Sequence, residues 1–195
     1  MRDVQRAMKD ISEGLLNISN GLDTKQVEEF IQALLKSKRI FIIGAGRSGI
    51  VAKAFAMRLM HLGFDSYVVG ETITPALRSK DILVAVSGSG ETSLIVSAAK
   101  IAKKIGAKLA AVTSYPKSAL AKISDIVVIL PGRKKTESTT DFMHRELKGE
   151  YAPAAPLGTL FEITALIFLD AVISSLMAAL GKKEEDLRVR HATIE

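Results

Sequence analysis

RIFIIGAGRSG, residues 39–49, is the stretch that decides how this chain is read: a short, unbroken apolar run that stops at a glycine-rich turn. Such a run reads as a strand buried on both faces. A helical pattern follows at 50–62. The same succession recurs downstream. Apolar runs lie at 66–69, 82–86, 109–112 and 126–130, and further helical patterns lie at 94–105 and 118–123. Strand and helix in alternation predict a parallel sheet covered on both faces, with right-handed crossovers. The expected fold is α/β, a doubly wound, flavodoxin-like five-stranded parallel sheet flanked by helices.

Ahead of this unit, Val4, Met8, Ile11, Leu15 and Ile18 step by four, three, four and three, the narrow stripe of an amphipathic helix. Gly21 ends it. Asp23 and Gln26 have capping-box spacing and open a second helix, with Val27, Phe30, Ile31, Leu34 and Leu35 on its apolar face. Residues 1–38 are thus expected to be a helical extension packed on the domain or on another subunit. The domain is expected over 39–181 and a charged tail over 182–195. Residues 131–156 are polar and rich in Gly, Pro and Thr, with helical spacing at 141–148. Residues 157–180 are the most apolar part, but Glu162 and Asp170 interrupt them. A membrane span needs about 20 nearly uninterrupted apolar residues, so this stretch reads as a buried core helix.

The composition narrows the function classes. With 195 residues, 48% hydrophobic and 25% charged, the chain is expected to be one globular domain. It has no cysteine, which excludes disulfides, a thiol nucleophile and thiolate metal sites. No signal-peptide pattern opens the sequence, and a cytoplasmic location is expected. The net charge of +6 reads first as a lysine-rich solvated surface. Trp is absent, so platforms for stacking single-stranded nucleic acid are poor. Neither nucleic acid nor a membrane is an expected partner.

Three places carry chemistry. The first is GAGRSG, residues 44–49, which matches the dinucleotide fingerprint G-x-G-x-x-G. On that motif alone a nicotinamide enzyme stays open, with Glu71 near the position of a ribose-binding acid. The structural alternative is a tight turn with Ser48 as N-cap. The second is SGSGET, residues 87–92, which again follows a strand and opens a helix. Ser87, Ser89 and Thr92 supply hydroxyls, Gly88 and Gly90 allow close backbone approach, and a helix N-terminus favours an anion. No lysine follows, so this is no nucleoside-triphosphate loop. It reads as a cradle for a phosphate ester. Both loops sit at the carboxyl ends of strands, where such sheets bind ligands.

The third is Glu162, a carboxylate in an apolar helix and a candidate general base. Thr159 and Glu162 also have capping-box spacing, and both readings stand at this point. Of the histidines, His61 falls at a helix C-terminus, where a positive charge is favourable. His144 falls in the polar segment and reads as exposed, and His191 lies in the tail. No spacing of His and acid suggests a metal site.

Together these segments resemble the sugar isomerase (SIS) domain family. That family carries a serine-bearing glycine loop after its first strand and a Ser-x-Ser-Gly-x-Thr loop after a later one. AMRLMHLGF (56–64), VVGETITP (68–75), PLGTLFE (156–162), TALIFLDAV (164–172) and RHATIE (190–195) extend the resemblance to the end of the chain. They bring it nearest to members that interconvert a 3-hexulose 6-phosphate and fructose 6-phosphate. The resemblance implies that reaction through an enediol, without metal or organic cofactor, commonly in a homotetramer. It implies substrate contacts from Gly46, Arg47 and Ser48 and from the loop Ser87, Gly88, Ser89, Gly90, Glu91 and Thr92. It implies Glu162 as the base, and a catalytic histidine: His191, offered by a neighbouring subunit, or His61. The alternatives are an isomerase of arabinose 5-phosphate or sedoheptulose 7-phosphate, and a sugar-phosphate sensor in a transcription regulator. The 38 residues ahead of the first strand are too few for a helix-turn-helix domain with its linker.

Overall fold

The computed structural model describes residues 2–132 and 158–191. Two helices, α1 (Arg2–Asn20) and α2 (Thr24–Lys36), lead into β1 (Ile40–Gly44). Then come α3 (Gly46–Leu62), β2 (Ser66–Val68), β3 (Ile82–Val86) and α4 (Ser93–Ile105). The chain continues through β4 (Lys108–Thr113), α5 (Ala119–Ile123) and β5 (Ile126–Ile129). A long helix, α6 (Thr159–Leu180), and a short one, α7 (Glu184–Arg188), close the described part.

All strand pairings are parallel, and the order is β2-β1-β3-β4-β5. The chain leaves β1 towards one edge and returns to β3 on the other side. That reversal places the switch point of the sheet between the carboxyl ends of β1 and β3.

Side chains alternate across the sheet and so feed two cores. Ile40, Ile42, Ile82, Val84, Val86, Ala110 and Val112 face α2, α3 and α6. There Phe30 of α2 packs 6.5 Å from Phe55 and 6.1 Å from Phe168, ring centre to ring centre. Phe41, Ile43, Leu83, Ala85, Leu109 and Ala111 face α4 and α5 through Ile95, Ala99 and Leu120. Helix α6 is long and apolar enough to cross a membrane by length and composition. Its buried residues Phe161, Ala165, Phe168, Leu169, Val172, Ile173 and Leu176 recur at helical spacing on one face, which makes it a core helix.

The N-terminal stripe divides. Ile18 is buried, Ile11 and Leu15 are half-buried, and Val4 and Met8 are more than 60% exposed. A Cβ on Gly14 would meet Leu160 at 2.7 Å, so glycine here lets α1 approach α6 closely. The expected capping box at α2 is only half formed. Asp23 accepts from the N–H groups of Lys25 and Gln26, but the Gln26 side chain accepts from Ile129 N at 3.1 Å instead. It satisfies the β5 edge, where a backbone donor needs a partner.

The tail also differs from a solvated strand of charges. Glu184, Glu185 and Asp186 fill the first turn of α7, where the helix dipole favours acids. Asp186 accepts from Lys183 N at 2.8 Å, and Leu187 packs against the core. Val189 is 87% exposed. His144, the spacing at 141–148 and Ile194 lie outside the described residues.

At the amino ends of the strands, the buried Asp81 accepts from Arg39 Nε at 3.1 Å, Arg39 Nη2 at 2.6 Å and Arg78 N at 2.7 Å. The Asp81 hydrogen bonds hold the Arg39 guanidinium above its ordinary pKa, against the opposite pull of burial. Asp81→Asn leaves donors facing donors in this clamp and is expected to lower Tm by roughly 5 °C or more. Because the clamp lies at the sheet edge away from the switch point, kcat at a permissive temperature should be unchanged. A thermal melt with a parallel rate assay checks both parts.

Candidate active site

The carboxyl ends of β1, β3 and β4 open onto a cleft of about 270 Å³. Ala45 and Ser48 line it from the first turn of α3, and Ser87, Gly88, Ser89 and Thr92 from the loop before α4. Glu162 and Phe161 enter from the start of α6. Two helix N-termini, those of α3 and α4, therefore converge on one space, an arrangement suited to an anion.

The first loop is shaped by its glycines. A Cβ on Gly44 would meet the Ser48 carbonyl oxygen at 2.5 Å, so only glycine lets α3 begin this close to β1. The N-cap of α3 is Ala45, so Ser48 lies inside the first turn with its side chain on the cleft. Gly46 takes φ +57° beside open space and does not line the cleft. Glu71, the candidate ribose acid, is instead paired with Lys53 at 2.6 Å, away from this space.

In the second loop, Ser87 Oγ accepts from Gly90 N at 3.2 Å and lies 3.5 Å from Thr92 Oγ1. Ser89 Oγ accepts from Glu91 N at 3.2 Å. Thr92 is the N-cap of α4, yet its hydroxyl makes no capping bond and faces the cleft. Two residues expected to touch substrate have other tasks. The Glu91 carboxylate accepts from Ala119 N at 2.8 Å and so points to the start of α5. Gly90, at φ +64°, makes room for Ser118, whose Oγ would lie 2.2 Å from a Cβ there. Both support the loop without lining the cleft.

Glu162 is no capping residue. The N-cap of α6 is Gly158, one residue earlier than the spacing suggests, and it carries no side chain. The Glu162 carboxylate instead pairs with Arg47 Nε across the cleft mouth. The apolar company read from its neighbours in sequence is thus replaced, in space, by a guanidinium. Arg47 is largely exposed and Glu162 is largely covered.

Several cleft residues escaped the sequence reading: Ser114, Tyr115, Gly132, Gly158 and Phe161. Ser114 and Tyr115 directly follow β4, and the rule that placed the two glycine loops would have found them at the third strand end. Phe161 lies over Gly88, where a Cβ would be 2.8 Å from its ring.

The structure brings His61 and His191 together but not to this cleft. Their rings lie 4.8 Å apart at the C-terminal end of α3, with His61 buried. From Ser48 to His61 is about 20 Å of helix at about 1.5 Å per residue. A helix that starts at the carboxyl edge of a parallel sheet runs towards the opposite edge, and neither imidazole lines its own chain's cleft. Among the described residues no three His, Asp or Glu side chains gather as metal ligands would.

The SIS domain profile matches residues 33–144. The chain belongs to the SIS domain family. It is 39% identical to the 3-hexulose-6-phosphate isomerase of Bacillus subtilis, over 95% of this chain and 96% of that one. It is 37% identical to the protein of that name from Mycobacterium gastri, over 99% of this chain and 92% of the other. A crystal structure from Methanococcus jannaschii, for which a molecular function of 3-hexulose-6-phosphate isomerase was inferred, covers all of both chains with a TM-score of 0.79 at 34% identity.

Proposed function

We propose that this SIS domain chain is a cytoplasmic isomerase that interconverts D-arabino-hex-3-ulose 6-phosphate and fructose 6-phosphate. The observation that carries the reading is the single cleft in which Glu162 faces two hydroxyl-bearing loops, each at a helix N-terminus. The SIS domain relatives support it.

The phosphate sits on Ser87, Ser89, Thr92 and the start of α4, and binding energy at that remote end positions the reacting carbons. Glu162 takes the proton from C2 of the 3-ketose and returns it to C3 of the resulting 2,3-enediol. Arg47, already paired with this carboxylate, holds it in place and offers positive charge to the developing enediolate. Ser48 hydrogen-bonds the sugar from the opposite loop.

The enzyme acts as a homo-oligomer, a tetramer in this reading. Val4 and Met8 on α1 and Leu166 and Ile167 on α6 are exposed apolar side chains available for contacts between copies. His191, exposed beside the buried His61, serves the cleft of a neighbouring copy, where an imidazole can open the furanose ring of fructose 6-phosphate. The 3-ketose cannot close the matching ring, because its O6 is esterified.

Incubation with ¹³C-labelled fructose 6-phosphate, followed by NMR, tests the reading. A new ketose carbonyl at C3 is the expected product. A new aldose, or turnover of arabinose 5-phosphate alone, would reject it.

A further inference from the structure

The third strand end of the cleft carries a hydroxyl that neither glycine loop accounts for. Strand β4 ends at Thr113, and Ser114 follows, its N–H donating to the Gly88 carbonyl at 3.1 Å. That bond ties Ser114 to the SGSGET loop. Its own Oγ is buried, yet it has no hydrogen-bond partner among the described residues. Three hydroxyls of the adjoining segments are engaged. Ser87 Oγ accepts from Gly90 N, Thr113 Oγ1 donates to the Gly88 carbonyl at 3.3 Å, and Ser118 Oγ accepts from Ala121 N at 3.2 Å.

A buried hydroxyl without a partner destabilises the empty protein. Thr164 Oγ1 is in the same condition among the described residues, but it lies in the core, away from the cleft. Ser114 lines the cleft. The space in front of it is kept by Gly132, where a Cβ would lie 2.7 Å from the Ser114 Oγ.

We propose that Ser114 is a substrate-binding residue whose Oγ hydrogen-bonds a hydroxyl of the sugar chain. The phosphate is already served by three hydroxyls and a helix N-terminus. A phosphate oxygen only accepts, whereas a serine hydroxyl both donates and accepts, as a sugar hydroxyl does. The bond made on binding removes the unsatisfied group, so substrate recognition and the defect of the empty fold are one feature. This inference rests on the sugar-phosphate reading above.

The test is Ser114→Ala, measured by calorimetric binding of fructose 6-phosphate and of inorganic phosphate, beside Tm and steady-state kinetics. Affinity for fructose 6-phosphate should fall about tenfold, with KM rising alike and kcat nearly kept, as for a contact present equally in ground and transition states. Binding of inorganic phosphate should be unchanged. The Tm of the empty variant should be equal or higher, since an unsatisfied hydroxyl has gone.

Three outcomes would overturn the proposal: unchanged binding of both ligands, equal weakening of both, which would put Ser114 in the phosphate cradle, or a lower Tm, which would give it a structural partner. Gly132→Ala provides a second probe, because its methyl would press on the Ser114 hydroxyl. It should weaken fructose 6-phosphate binding in the parent chain and add little in the Ser114→Ala background. Additive losses would count against the assignment. Wild-type turnover of fructose 6-phosphate tests the isomerase reading separately. The binding measurements judge Ser114 whether or not that turnover is seen.

Discussion

Glu162→Gln should lower kcat by about two to four orders of magnitude, the usual contribution of a positioned general base, while leaving the fold intact. The amide keeps the length and shape of the side chain and can still accept from Arg47. It cannot take a proton from carbon. Stability should hardly change, because the Arg47 partner is largely exposed and such pairs add little to folding. No capping bond is lost either, since the helix is capped at Gly158. KM should move far less than kcat, because the phosphate end of the substrate is bound elsewhere in the cleft. A variant within tenfold of the parent rate would remove Glu162 from the chemistry and leave the described lining of the cleft without a carboxylate base.

Replacing Ser87 and Ser89 together by alanine should raise KM by about two to four orders of magnitude. Hydrogen bonds to a charged group are each worth about 1.5–3 kcal/mol, and two are lost. The backbone of the loop should survive. Gly90 N also donates to the Ser87 carbonyl at 3.1 Å, so it keeps a partner without the Ser87 hydroxyl. The Ser89 bond to Glu91 N is exposed, and water can replace it. Tm should therefore stay within a few degrees of the parent. Normal affinity for fructose 6-phosphate in the double variant would show that the phosphate binds elsewhere.

The parallel sheet was legible because its signals are local and periodic. Apolar runs that stop at glycine-bearing loops mark β1 and β3, and helical spacing marks the cover on either side. The two hydroxyl-rich loops were legible for the same reason, since six consecutive residues contain the whole pattern. What escaped depends on residues far apart in sequence. The pairing of Arg47 with Glu162 spans 115 positions, and nothing local to either residue announces it. Glu91 reads as part of the cradle, yet the fold brings Ala119 N within reach of its carboxylate, and a helix start is a strong competitor for an acid. Ser114 is one hydroxyl in an ordinary loop. Its meaning comes from burial and from the partner it lacks among the described residues, neither of which is written in the sequence. His61 and His191 lie 130 positions apart in this numbering, and only the return of the tail along α3 brings their rings together.

The central claim is that Glu162 moves a proton between C2 and C3 of a sugar phosphate through an enediol. Solvent exchange tests it most directly. The protein is incubated with fructose 6-phosphate in deuterated water, and the sugars are read by NMR. The account predicts deuterium at C3 of recovered fructose 6-phosphate and at C2 of the new 3-ketose, with both signals nearly abolished in Glu162→Gln. Deuterium at C1 would mean a 1,2-enediol and a different isomerase. Exchange at the parent rate in Glu162→Gln would mean that another group carries the proton.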